Sequence, residues 1–151
     1  MRDNRNRGDN GSGVPSRASG TLAAEHAALA PRIAELRVLL EGDFSWDEAR
    51  VALVQFRSSI QLHFALEESG GYLSEVVAKA PECAATVARL ESEHSRMRGD
   101  LTRLLAEALV AREKADLRTS VRDFLTLLAA HEHCENEISQ RALVIDPPGG
   151  D

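Results

Sequence analysis

Three histidines in this 151-residue sequence are followed four residues later by glutamate: His63 by Glu67, His131 by Glu135 and His133 by Glu137. The other two, His26 and His94, stand without such a partner. Four residues is one helical turn, so each pair places an imidazole and a carboxylate on one face of a helix. Several such groups brought together have the donor types of a site for a borderline divalent metal such as iron, manganese or zinc. Calcium and magnesium prefer shells made of oxygen alone.

The elements that must carry these residues are helices. From Thr21 onward the sequence is rich in Ala, Leu, Val, Glu and Arg, which form helices well, and aromatic residues make up only 4%. A first helix is predicted from about Ser19 to Glu41, ended by Gly42 in a left-handed conformation. Ser45-Trp-Asp-Glu48 has the spacing of a capping box and opens a second helix, which the Gly70-Gly71 pair stops after Ser69. A short piece over Tyr72 to Ala80 leads into Pro81, at the first turn of a third long helix reaching Val110. A fourth is predicted from about Asp116 to Leu143, with Pro147-Pro148 forbidding its continuation. The fold expected is all-α, an up-down-up-down antiparallel four-helix bundle with a metal site in its core. Its predicted extent is residues 20–143, between a disordered tail over 1–19 and a loose tail over 144–151.

Steps of three and four residues trace one inward stripe on each long helix. The stripes are Leu22-His26-Leu29-Ile33-Leu36-Leu40, Leu53-Phe56-Ile60-His63-Glu67, Val87-Leu90-His94-Met97-Leu101-Leu104 and Val121-Phe124-Leu128-His131-Glu135-Ile138. Each carries one histidine. His133 is rotated about 200° from His131 and faces away, so the His131/Glu135 pair is preferred over His133/Glu137. Depth is an independent criterion. Counted from the end of the bundle where the first helix meets the second, the four histidines lie about 15, 17, 16 and 15 residues in, or roughly 22–26 Å at 1.5 Å per residue.

One inward histidine is most often an ordinary hydrogen-bonded core residue. Four in a layer with Glu67 and Glu135 are different, because each ionised carboxylate costs several kcal/mol to bury without a partner and no Lys or Arg lies on the stripes nearby. Two divalent cations would neutralise them. If both glutamates bridge, each metal receives two histidines and two carboxylate oxygens, leaving open positions. The expected ligands are His26, His63, Glu67, His94, His131 and Glu135.

The sequence around these residues reads Glu25-His26, His63-Phe-Ala-Leu-Glu67-Glu68, Glu93-His94 and His131-Glu-His-Cys-Glu135-Asn136. This resembles the hemerythrin-like, or HHE cation-binding, family, whose pattern is His, HxxxE, His, HxxxE. The resemblance spans residues 20–143. It implies a non-haem di-iron centre, with manganese or zinc as lesser alternatives, that binds dioxygen, nitric oxide or peroxide, or senses iron or redox state. The oxygen-carrying members have HxxxH on the third helix, whereas here Arg98 follows His94 by four residues. That departure weakens the expectation of reversible oxygen carriage. A ferritin-like site would need two Glu-x-x-His motifs, and only Glu91-Ser-Glu-His94 is present, with Glu91 off the stripe.

The function expected first is binding or sensing of a small ligand, with no dedicated enzymatic role. The alternatives are a peroxide-decomposing enzyme and a module that metal merely stabilises. A net charge of −6 and a pI near 5.4 disfavour nucleic acid and anionic membrane as partners. No apolar h-region opens the sequence, and no apolar run approaches the roughly 18 residues that span a bilayer, so the cytoplasm is the expected compartment. Cys83 and Cys134 lie on different predicted elements and suggest neither a disulfide framework nor a thiolate metal site. Cys134 borders the ligand layer, Pro31 either kinks the first helix or starts a second segment, and an approach of Tyr72 to the site from the loop is left open by the sequence.

Overall fold

A computed structural model describes residues 17–145 of the chain, which are all-helical with no strand among them. The elements are α1 (Arg17–Glu41), α2 (Trp46–Ser69), α3 (Tyr72–Lys79), a 3-10 turn (Pro81–Cys83), α4 (Ala84–Val110) and α5 (Lys114–Ile145). Most of the two segments read as tails lies outside the described residues, as do the side chains of Leu22 and Glu25. None of these helices is long and apolar enough to cross a membrane.

The helix ends have identifiable causes. At the start of α2, Ser45 Oγ accepts from the Glu48 amide at 3.2 Å and Glu48 Oε2 accepts from the Ser45 amide at 2.7 Å. This reciprocal cap satisfies two donors that the helix itself leaves unpaired. At its other end a Cβ on Gly70 would lie 2.2 Å from the Leu66 carbonyl oxygen, and Gly71 takes φ 79°, so the turn into α3 requires glycine twice. Gly42 does not adopt the left-handed conformation predicted for it, since Gly71 is the positive-φ glycine among the described residues. The end of α1 is secured from α5 instead, where Arg118 donates to the carbonyls of Leu40 and, at 2.8 Å, Gly42. Arg50 of α2 does the same for α4, donating to the Ala108 carbonyl at 3.0 Å. Cationic side chains are favourable at helix C-termini, where carbonyls lack partners.

Several boundaries differ from the sequence prediction. Pro81 opens a 3-10 turn ahead of α4, and α1 passes through Pro31 as one helix with no second segment. α5 begins two residues before the predicted Asp116 and extends past Leu143.

α1 packs on α2, α2 on α4 and α4 on α5, with α5 touching α1 again. The stripes read from the sequence face inward. Every stripe residue named on α2, α4 and α5 is buried, as are Leu29, Leu36 and Leu40 of α1, with Ile33 packed at the edge. The buried apolar side chains form two clusters. The larger draws on α1, α2, α4 and α5 and includes Phe56 and Phe124, whose rings meet edge to face at 6.0 Å. The smaller is roofed by α3 and contains Tyr72, Leu73, Val76, Cys83, Val87, Leu90 and Ile138. Along the helices, a polar layer lies between them.

Candidate metal centre

That layer contains the six residues singled out by the sequence. His26 comes from α1, His63 and Glu67 from α2, His94 from α4, and His131 and Glu135 from α5. His63, Glu67, His94, His131 and Glu135 are 0–2% exposed, while the His26 side chain retains 18%. His133 lies outside at 76% exposure, near Glu137. The inward residues form two groups of four, His26-His63-Glu67-Glu135 and Glu67-His94-His131-Glu135, each with its potential ligand atoms within 4.8 Å of one another. Both carboxylates belong to both groups.

The atoms converge on common points more than they pair. Glu67 Oε1 lies 2.5 Å from His63 Nε2 and Glu67 Oε2 lies 2.9 Å from His94 Nε2. Neither approach has hydrogen-bond geometry, and both Glu67 oxygens and both His63 nitrogens are buried without a hydrogen-bond partner. Orphaned buried polar atoms are uncommon and costly. His94 Nε2 and His131 Nε2 face each other at 3.0 Å, with Glu135 Oε1 2.7 Å from the latter. Two imidazole nitrogens bound about 2.1 Å from one ion at right angles stand about 3 Å apart. The donor set therefore fits one divalent cation in each group, and an ion would satisfy the atoms that the protein leaves unpaired.

Two of the imidazoles are oriented from outside. His94 Nδ1 is 2.9 Å from Glu68 Oε1, and His131 Nδ1 is 2.8 Å from Glu93 Oε2. An ionised carboxylate only accepts, so Nδ1 donates and the Nε2 lone pair is directed inward. Phe64, fully buried, stacks on His94 with centroids 4.1 Å apart and planes 15° from parallel. This closes one face of the site to water.

Without an ion, protons take up the balance of charge. Burial by itself would lower the His26 pKa, but the hydrogen bond with Glu135 and the nearby Glu67 carboxylate outweigh it and push it up to about 10. His94 is pushed up to about 9 by the same opposition of burial against Glu135 and Glu67, and His131 is raised. Burial disfavours ionisation of Glu67 and Glu135, yet the surrounding histidines hold both below the usual carboxylate range. Glu132, with less compensation, is raised by burial.

Sequence reasoning did not find the roles of Glu68 and Glu93. Both adjoin a ligand candidate in the chain, but each serves a histidine on another helix, and only the packing of α2, α4 and α5 brings them there. Arg98, noted as the place of an absent histidine, forms a two-pronged ion pair with Glu68 at 3.1 and 3.0 Å. Tyr72 does approach the layer, donating to the Glu135 carbonyl at 3.3 Å from the first residue of α3. Cys134 is half-buried beside the smaller cluster, its sulfur accepting from Arg89 at 3.2 Å. Met97 and Phe56 are ordinary core residues.

No curated protein and no solved structure matches the chain. The model of the hemerythrin HHE cation binding domain matches residues 17–143, which takes in all six convergent residues. The chain belongs to the hemerythrin HHE cation-binding family.

Proposed function

We propose that the protein is an up-down-up-down antiparallel four-helix bundle that holds two iron ions and binds or senses a small molecule such as dioxygen or nitric oxide, or reports iron or redox state. His26 and His63 would hold one ion, His94 and His131 the other, with Glu67 and Glu135 bridging. The observation that carries this reading is that two four-residue groups share both carboxylates. The antiparallel course is supported by contacts between opposite helix ends, such as Arg50 near the start of α2 with Ala108 near the end of α4.

Two imidazoles and two carboxylate oxygens satisfy four positions of an ion that accepts six, which leaves room for a small exogenous molecule. When bound, a pair of iron ions supplies one-electron chemistry and Lewis acidity. The chain's own residues orient and enclose. Glu68 and Glu93 fix the tautomers of His94 and His131, Phe64 excludes water, and partly exposed His26 marks the wetter side of the layer.

Metal analysis of protein purified without added metal is expected to give two irons per chain. Optical spectra of the reduced protein should then change on adding dioxygen or nitric oxide. Absence of metal, or two metals with no response to either gas, would sink the ligand reading. Peroxide turnover faster than that of free iron would replace it with an enzymatic one.

A further inference from the structure

Resting on that reading, the two metal positions are chemically unequal although their direct ligands are the same. Each imidazole of the His94/His131 pair is backed by a carboxylate, and each carboxylate by an arginine. Arg98 holds Glu68 at 3.1 and 3.0 Å, and Glu68 accepts from His94 Nδ1 at 2.9 Å. Arg89 holds Glu93 at 3.2 Å, and Glu93 accepts from His131 Nδ1 at 2.8 Å. Among the described residues the His26/His63 pair has nothing comparable. His63 Nδ1 is buried without a partner, and no hydrogen bond joins His26 Nδ1 to a group among the described residues. Glu132, the further acid whose charge acts on this pair, makes no hydrogen bond to either ring among the described residues.

We propose that Glu68 and Glu93, with Arg98 and Arg89 behind them, are positioning residues that make the His94/His131 position the tight one, filled first, and leave the His26/His63 position as the weaker, exchangeable one. The physical reason is twofold. A carboxylate on Nδ1–H holds the ring at the correct tautomer and angle before the ion arrives, and it makes Nε2 a stronger donor. The Arg98 fork fixes the rotamer of Glu68, and the single Arg89 contact restrains Glu93, so less ordering remains to be done on binding. His63 must bind with an unsatisfied buried Nδ1, and His26 lies at the partly exposed edge of the layer.

Cobalt(II) is a suitable probe, because its absorption reports each binding step without any activity. Titration of the metal-free protein is expected to show two steps whose dissociation constants differ by about tenfold or more. Glu68→Gln and Glu93→Gln should each weaken the tighter step by about 10- to 100-fold and leave the weaker within about twofold. His26→Ala should remove the weaker step and spare the tighter. Arg98→Lys, which keeps the charge and loses the fork, should weaken the tighter step less than Glu68→Gln does. Both glutamines are nearly isosteric at half-exposed edges, so they test the proposal even if His26→Ala fails to fold. Two cobalt ions bound with neither step moved by the glutamines, or both moved equally, would overturn the inequality and leave the two-metal reading standing. No cobalt uptake by the unaltered protein would overturn both.

Discussion

The polar layer and the larger apolar cluster beside it are built by the same faces of the same helices, one turn apart. Ile60 precedes His63 by three residues, Leu128 precedes His131 by three, and Leu29 and Met97 follow His26 and His94 by three. The apolar side chains are complete in themselves, each contributing about 1.5–3 kcal/mol by leaving water. The polar layer is not. It buries two carboxylates and three histidines almost entirely, at a cost of several kcal/mol per uncompensated ion, and leaves His63 and Glu67 atoms unpaired. One region therefore carries the fold, and the other lowers stability unless its charges are balanced, as bound ions would do on the proposed reading.

Removal of metal is expected to have the largest effect. With free metal at a thousandfold over its dissociation constant, each position adds about 4 kcal/mol, all of it lost to a chelator. Thermal unfolding with and without chelator measures the total, and hydrogen exchange shows where it falls. Amides around His63–Glu67 and His131–Glu135 should gain the most in exchange rate in the metal-free protein, through local opening added to the global loss, and those around Leu53–Phe56 the least. Uniform acceleration through both regions would break the comparison.

Truncation in the apolar cluster is the converse. Phe56→Ala removes a buried ring packed edge to face on Phe124 and should cost about 3–5 kcal/mol. The loss should be nearly the same in metal-loaded and metal-free protein, as measured by denaturant unfolding. A loss confined to the loaded form would place Phe56 with the site.

The pH dependence separates the two regions further. In the metal-free protein, His26 and His94 hold their protons up to about 10 and 9, so both are charged at neutrality. Ions require neutral imidazoles, so binding near pH 7 should release at least these two protons, with apparent affinity rising about tenfold per pH unit for each. Calorimetry in buffers of different ionisation enthalpy counts them. The metal-free protein should follow the opposite trend. Raised histidines stabilise it fully below their usual value of 6.5, and this support is lost as pH climbs toward 9 and 10. Glu67 and Glu135, held low, support it above their usual 4.5 and cease to do so as pH falls. Its optimum is thus expected between about pH 4.5 and 6.5. A metal-free protein most stable above pH 8 would contradict the charge balance assigned to the layer.

The stripes were legible because helical periodicity is a local property of the sequence. His63, His94 and His131 follow the three-and-four spacing of the leucines around them, and common depth places them in one layer. Glu68 and Glu93 do not follow it. Each sits about 100° around its helix from the adjoining ligand candidate, where a surface residue is expected, and becomes meaningful only once a neighbouring helix presents an imidazole to it. Arg98 is legible only in part for the same reason, since its spacing from His94 marks the place of a further histidine while its partner, Glu68, lies on α2. The end of α1 was misread because a glycine after a helix usually signals a left-handed cap, whereas Arg118, 76 residues away from Gly42, satisfies the carbonyls there.

Tyr72 joins the two kinds of environment, and its removal should have the smallest effect. Its ring is buried in the cluster beneath α3, while its hydroxyl, pushed up to about 12 by burial, donates to the Glu135 carbonyl. Tyr72→Phe keeps the ring and deletes one hydrogen bond to a carbonyl on a helix, a loss of about 0.5–1.5 kcal/mol. Thermal unfolding should show that loss equally in the loaded and metal-free forms, because the ring rather than the hydroxyl holds α3 in place. If instead the metal-free protein is unaffected while the loaded form drops or loses an ion, the hydroxyl acts through the Glu135 backbone on the position of the Glu135 carboxylate. Tyr72 would then belong to the polar layer, and the boundary between the two regions would move outward to include the first turn of α3.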